Sequence, residues 1–285
     1  MTPVALEIDE FFVSGRSADV PVRRYRPVKQ TTGTPLVWVH GGAFSGGGLD
    51  QLESHAVATS IAEHGREVVT LDYRLVPAWS WWRPPRSGVL PGIRFPLPLD
   101  DVADVFEQVV SEAGGPVVLG GASAGACLAA ASALRAVSLK RTRPDRLVLA
   151  YGTFHAALPA LSSEVRSRVK GRHGLVQFRS GTVEKMNRNY AGSIGAMDDP
   201  FAFPGGHDVA GLPRTYILDA DRDTLRASGE RFSQELTDSG VDVTRFVLPE
   251  STHGFLNRPG TSAYADGLGR LVSWLDATDS GRGAP

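Results

Sequence analysis

Cysteine is almost missing from this chain: Cys127 stands alone among 285 residues. No internal disulfide can form, so the redox compartment is not marked by cysteine pairing. Excess charge of either sign is missing too, since 30 Lys and Arg face 31 Asp and Glu for a formal charge of −1. That balance gives no electrostatic case for nucleic acid or an anionic membrane as partner, and a substrate is expected to be neutral or recognised locally. Long apolar runs are lacking: no stretch approaches the roughly 20 residues of a membrane span. Met1 to Glu10 carries no basic segment and no sustained apolar run, which argues against a secretory signal and for a cytoplasmic protein. The seven histidines are scattered without ligand spacing, so neither a metal nor another cofactor is expected. There is no internal repeat, and only the tail from Ser280 reads as disordered.

What is present is an ordinary globular composition, 42% hydrophobic and 21% charged. Its length suits one large α/β domain over residues 1–285. Residues around Leu6 and Ile8, then Phe11 to Val13, a Ser14-Gly15 turn and Val20 to Tyr25 read as an antiparallel pair. Leu36 to Val39 is a short continuous apolar run, as expected of a strand covered on both faces, and Val68-Val69-Thr70-Leu71 reads as the next buried strand. Further strands are expected at Val117 to Leu119, Arg146 to Ala150, Thr215 to Leu218 and Val243 to Leu248. Between them lie helical patterns at Leu52 to Glu63, Asp101 to Ala113, Leu225 to Asp238 and Ala263 to Leu275. Strands alternating with helices predict a mostly parallel central sheet with helices on both faces. Two stretches break the pattern. Residues 78–95 combine Trp79, Trp81 and Trp82 with prolines, which make neither a good helix nor a central strand, and read as an excursion near the site entrance. Residues 152–206 are irregular and more polar, with one helix around Val183 to Tyr190, as an inserted cap would be.

Chemistry is suggested first by Gly121-Ala122-Ser123-Ala124-Gly125, which sits between an apolar run and the small-residue segment Cys127 to Ala131. Strand, abrupt turn and helix are the context in which a serine is presented as a nucleophile. A serine hydroxyl needs a base to take its proton, and the base needs a third group to orient it. His253, just after the last strand, is the candidate base, with His155 its rival; His64, His173 and His207 read as solvated, and His55 lies on the first crossover helix. Asp219, Asp221 and Asp223 crowd the end of the preceding strand, and position alone does not separate them, although Asp223 lies furthest into the loop. The glycine-rich run after Val39, beginning His40-Gly41-Gly42-Ala43-Phe44, brings bare backbone close to something. N–H groups of Gly41 and Gly42, with that of Ala124, could stabilise a developing oxyanion. A phosphate loop is the alternative, but the run has neither the dinucleotide nor the P-loop spacing and no following lysine. Cys127, four residues after Ser123, reads as a small buried hydrophobe rather than a reactive thiol.

Taken together, several short motifs resemble the hormone-sensitive-lipase-like branch of the α/β-hydrolase esterases from about Leu36 to the C-terminus. They are His40-Gly41-Gly42, Asp72-Tyr73-Arg74-Leu75, Phe95-Pro96 with Asp100-Asp101, Gly121 to Gly125, Gly211-Leu212-Pro213, Asp223-Thr224-Leu225-Arg226 and His253-Gly254-Phe255. The resemblance implies an α/β-hydrolase fold with a small cap, a triad of Ser123, Asp223 and His253, and oxyanion donors at Gly41, Gly42 and Ala124. It implies hydrolysis of carboxylic esters, with small acyl groups because the cap is small. The same machinery would serve an amidase or lactonase, and the fold also serves as a non-catalytic ligand-binding protein, though such proteins usually lose a triad member. Departures are Ala43 in place of a third glycine, Ala122 and Ala126 flanking the elbow, few residues ahead of Trp38 for cap helices, and a long gap from Pro77 to Phe95. The excursion is a candidate substitute for the missing cap. Oligomeric state is not fixed by these residues, and a homodimer stays open.

Overall fold

In the computed structural model, residues 4–29, 33–78, 88–170 and 177–280 are described. All eight strands found there join one sheet, ordered β1-β2-β4-β3-β5-β6-β7-β8. The first two, β1 (Leu6–Ser14) and β2 (Asp19–Pro27), form an antiparallel hairpin, and β2 runs antiparallel to β4 (Val68–Leu71). From β4 onward every neighbour is parallel: β3 (Leu36–Val39), β5 (Val118–Ala122), β6 (Leu147–Ala150), β7 (Thr215–Arg222) and β8 (Val243–Thr252).

The sequence sorts the two faces by strict alternation. Val37, Val39, Val69, Leu71, Leu119, Leu147, Leu149 and Ile217 point into one core, which α2 (Leu97–Ala113), α3 (Ala124–Ser138) and α7 (Arg226–Asp238) cover. Their neighbours Leu36, Trp38, Val68, Val118, Val148, Tyr216 and Leu218 point into the other, under α1 (Leu52–Glu63) and α8 (Ser262–Ser280). Because both faces are buried, a central strand favours apolar residues at every position; β3 and β6 have them, and β4 departs only at Thr70, which is buried. Among the described residues no helix is long and apolar enough to cross a membrane.

The observed elements depart from expectation mainly at their ends. β7 and β8 each run four residues further than their apolar stretches, because their polar continuations are paired: Asp219 accepts from Arg245 Nε at 2.7 Å and Asp221 from the N–H of Glu250 at 3.0 Å. α2 starts at Leu97, four residues early, since a proline in the first turn forfeits no helical hydrogen bond. Among the described residues, the insertion between β6 and β7 holds three helices where one was expected: α4 (Ser163–Arg168), α5 (Ser180–Ala191) and α6 (Ile194–Met197). Serine caps begin the two short ones, Ser162 accepting from Val165 N–H at 3.2 Å and Ser193 from Ala196 N–H at 3.0 Å. α8 includes Ser280, which was expected to open a disordered tail. The tryptophans of the 78–95 excursion lie outside the described residues, but its flanks are stitched to α5. Asn189 Nδ2 donates to Pro77 O at 3.0 Å, Phe95 N–H to Tyr190 O at 2.9 Å and Leu90 N–H to Gly192 O at 2.7 Å.

Candidate active site

The chain order of the sheet reverses between β3 and β5, and in open α/β sheets ligands bind beyond the carboxyl ends of the strands at such a point. There, β5 turns directly into α3 through Ser123, whose backbone is held at φ 53° and ψ −117°. Such a left-handed conformation is costly for a residue with a side chain and persists only where surrounding structure enforces it. Here the enforcement is close packing. A Cβ on Gly125 would lie 2.2 Å from the carbonyl oxygen of Val39 and 2.4 Å from that of His40, so only glycine lets α3 start against the end of β3. The run Ala124 to Leu134 that follows is buried throughout, which explains its small residues. Cys127 lies among them, fully buried, and burial pushes its thiol pKa up, away from thiolate chemistry.

Ser123, His253 and Asp223 come together across three strand ends. Ser123 Oγ lies 3.1 Å from His253 Nε2, and His253 Nδ1 lies 2.6 Å from Asp223 Oδ2. Asp223 is fully buried and its other oxygen accepts the N–H of Leu225 at 3.0 Å. The imidazole is partly open, with its side chain 22% exposed, and Ser123 is half-buried. Burial pulls the His253 pKa down, but the charge and hydrogen bond of Asp223, with a smaller contribution from Glu53, more than reverse this, so it ends above the ordinary histidine value.

Geometry separates the three carboxylates that sequence position could not. Asp219 is buried against Arg245, and burial, only partly offset by that guanidinium, raises its pKa to about 6. Asp221 is bound by Arg168 and Arg226. Only Asp223 of the three reaches His253. The rival base, His155, is engaged elsewhere, with Nδ1 2.8 Å from Ser228 Oγ and Nε2 3.3 Å from Glu235. His55 pairs with the Tyr25 hydroxyl at 2.9 Å, and His64 Nδ1 lies 2.7 Å from Ser60 O. His40 is buried and stacked on Tyr73, with ring centroids 4.4 Å apart.

The glycine loop does approach the serine: a Cβ on Gly41 would sit 3.0 Å from Ser123 Cβ. One expected role is corrected, however. The N–H of Gly41, read as an oxyanion donor, is taken by Glu53 Oε2 at 2.8 Å. Beyond it the loop turns through three successive positive φ values, 119° at Gly42, 55° at Ala43 and 62° at Phe44. Ala43 thus occupies a left-handed position where a third glycine would be unstrained. The N–H of Ala124 opens α3, where the first turn has no acceptor inside the helix.

Three residues around the site were missed in the sequence. Tyr151, directly after β6, meets the His253 ring edge to face, with centroids 5.0 Å apart. Glu53 lies buried in the first turn of α1, where an acidic residue reads as a dipole complement. Phe178, ahead of α5, also meets the imidazole edge to face, with centroids 5.0 Å apart. Among the described residues no group of three or more His, Cys, Asp or Glu is placed to hold a metal ion.

Comparison with known proteins gives a consistent picture. A family model described as alpha/beta hydrolase fold matches residues 88–257. The carboxylesterase NlhH of Mycobacterium tuberculosis is 29% identical over 248 residues, covering 84% of this chain and 72% of the relative. The ethyl acetate hydrolase of Pseudomonas putida is 27% identical, over 90% of this chain and 78% of its own length. Among solved structures, an esterase of Pyrobaculum calidifontis superposes with a TM-score of 0.80 at 23% identity, over 95% of this chain and 85% of that one.

Proposed function

We propose, because the chain belongs to the alpha/beta hydrolase fold family in its hormone-sensitive-lipase-like branch, that it is a serine hydrolase of carboxylic esters. The observation that carries this is the continuous path from Ser123 Oγ through His253 to buried Asp223. In the proposed reaction His253 Nε2 takes the hydroxyl proton as Oγ attacks the ester carbonyl. N–H groups of Gly42 and Ala124 stabilise the oxyanion, and removing one such donor typically costs about 100- to 1,000-fold in rate. The imidazolium then protonates the leaving alcohol, and water activated by the same histidine releases the acid from Ser123. Asp223 holds the tautomer in which Nε2 is free to accept. The relatives named carboxylesterase and ethyl acetate hydrolase support this reading.

Selectivity belongs to the proposal as well. Residues 152–206 act as a small cap, joined by the 78–95 excursion whose flanks bond to α5. Val183 and Met186 of α5 pack with Leu225, and Ala43, Leu158 and Phe178 lie against them, which fills the space beside the glycine loop with side chains. Short acyl groups therefore fit best. A series of p-nitrophenyl esters from acetate to dodecanoate tests this: kcat/KM is expected to peak at two to four carbons and fall at least about tenfold by eight, roughly 1.4 kcal/mol. A maximum at long chains would reject the small-acyl assignment, and no turnover of any ester would reject the hydrolase itself.

A further inference from the structure

Glu53 is 2% exposed, yet its carboxylate is satisfied by N–H and O–H donors drawn from separate parts of the site. Oε2 accepts the N–H of Gly41 at 2.8 Å, the residue whose backbone packs on Ser123. Oε1 accepts the hydroxyl of Tyr151 at 2.5 Å, and the Tyr151 ring meets both His253 and Phe255 edge to face. Its main chain extends the linkage. Glu53 N–H donates to Asn257 Oδ1 at 2.9 Å, in the 3₁₀ turn Phe255–Asn257 that follows His253, and its carbonyl accepts the Trp38 indole N–H at 2.8 Å in β3. One residue thus ties together the loops leaving β3, β6 and β8, which carry the glycine turn, the tyrosine and the histidine.

Burying a carboxylate is expensive, and a helix N-terminus alone would be served as well by an exposed one. We propose that Glu53 is a positioning residue for the hydrolytic site: through Gly41 it sets the glycine turn so that the following N–H groups face the oxyanion, and through Tyr151 it walls the His253 imidazole into line between Ser123 and Asp223. This rests on the triad reading given above. The binding logic is directional. Gly41 gives up its own N–H to Glu53, which fixes the His40–Gly41 peptide plane, while His40 Nδ1 lies 2.7 Å from the Gly41 carbonyl in the next plane, which carries the Gly42 N–H. The Tyr151 hydroxyl is pinned and its ring edge cannot swing out of the path of the imidazole. Glu53 also stands with Asp223 as negative charge near a ring that becomes cationic during the reaction. The positive charge of Arg258, which donates to the His253 carbonyl at 2.8 Å, acts against them, and the hydroxyls of Tyr151 and Ser123 are polar neighbours of the same residue.

Glu53→Gln keeps the shape but offers one acceptor oxygen where two donors need one each, and it removes the charge. Tyr151→Phe keeps the ring on His253 and deletes only the hydroxyl. Steady-state kinetics on p-nitrophenyl acetate across pH 5 to 9 would be measured for wild type, both variants and the double variant, with Ser123→Ala as the blank. Glu53→Gln is expected to lower kcat about 10- to 100-fold, below the loss of a direct oxyanion donor, with KM nearly unchanged and the pH midpoint moved down. Tyr151→Phe is expected to lower kcat by a smaller factor, and the double variant to resemble Glu53→Gln because both act through one linkage. A Glu53→Gln enzyme that melts lower but keeps its kcat and its pH midpoint makes Glu53 a purely structural residue and overturns the proposal. Should Glu53→Gln fail to fold, Tyr151→Phe decides alone, and an unchanged kcat and profile there overturns it equally. A wild type that turns over and a Ser123→Ala blank that does not keep the triad reading in place whichever way Glu53 falls; an inactive wild type removes both.

Discussion

Ser123→Ala abolishes ester hydrolysis while the protein stays folded. The expected loss in kcat is on the order of 10⁶-fold, because without the hydroxyl no acyl-enzyme forms, and the residual rate is that of water assisted by the remaining donors. Stability should hardly move. The deleted atom contributes one hydrogen bond, to His253, and neutral hydrogen bonds are worth about 1 kcal/mol net. The positive φ at residue 123 is imposed by the packing of Gly125 on β3, which alanine leaves intact. Circular dichroism and a melting curve beside the p-nitrophenyl ester assay check both halves. Turnover that survives in a folded Ser123→Ala protein would refute the role given to this residue.

Asp223→Asn is the second large effect, with kcat falling about 10⁴-fold. The reason is local. Leu225 N–H already occupies one side-chain oxygen of residue 223 at 3.0 Å, so an asparagine keeps its carbonyl there and turns its NH₂ toward His253 Nδ1. The imidazole must then accept at Nδ1 and carry its proton on Nε2, where it can no longer take the proton of Ser123. The pH dependence gives an independent signature. The base acts in its neutral form, so wild-type kcat/KM rises with pH through the His253 pKa, which burial lowers and Asp223 raises to a net value above the ordinary one. With the charge of Asp223 gone, burial dominates and the midpoint shifts to lower pH. A midpoint that stays where it was would mean that His253 is not the group titrating.

Much of this was legible in the chain, and for identifiable reasons. Leu36 to Val39 and Leu147 to Ala150 announce central strands because burial on both faces selects apolar residues at every position, and Val68 to Leu71 does so with Thr70 as its one polar member. The elbow was legible because Gly125 and its small neighbours are what a helix starting against a strand requires. Strand ends were harder: Asp219 and Asp221 lie past the apolar stretch of their strand, and that the strand continues through them shows only when Arg245 and the Glu250 N–H are seen to pair with them. Position alone could not choose among the three carboxylates, because which one faces His253 is a matter of three dimensions; it was the resemblance carried by Asp223-Thr224-Leu225-Arg226 that pointed to Asp223. Gly41 was misread for the same reason, since only the fold brings Glu53, twelve positions later, back to its N–H. Short helices such as α4 and α6 carry too few residues to show a period, and their serine caps were the only local sign.

The most direct measurement is covalent. Incubated with a fluorophosphonate, which captures a serine only when a neighbouring base has made it nucleophilic, the protein should gain the mass of a single phosphonyl group, and peptide mapping should place it on Ser123, with no adduct on Ser123→Ala and a much slower one on Asp223→Asn. An unmodified wild type, or an adduct on a different serine that persists in Ser123→Ala, would contradict the assembly of Ser123, His253 and Asp223 into one reactive unit.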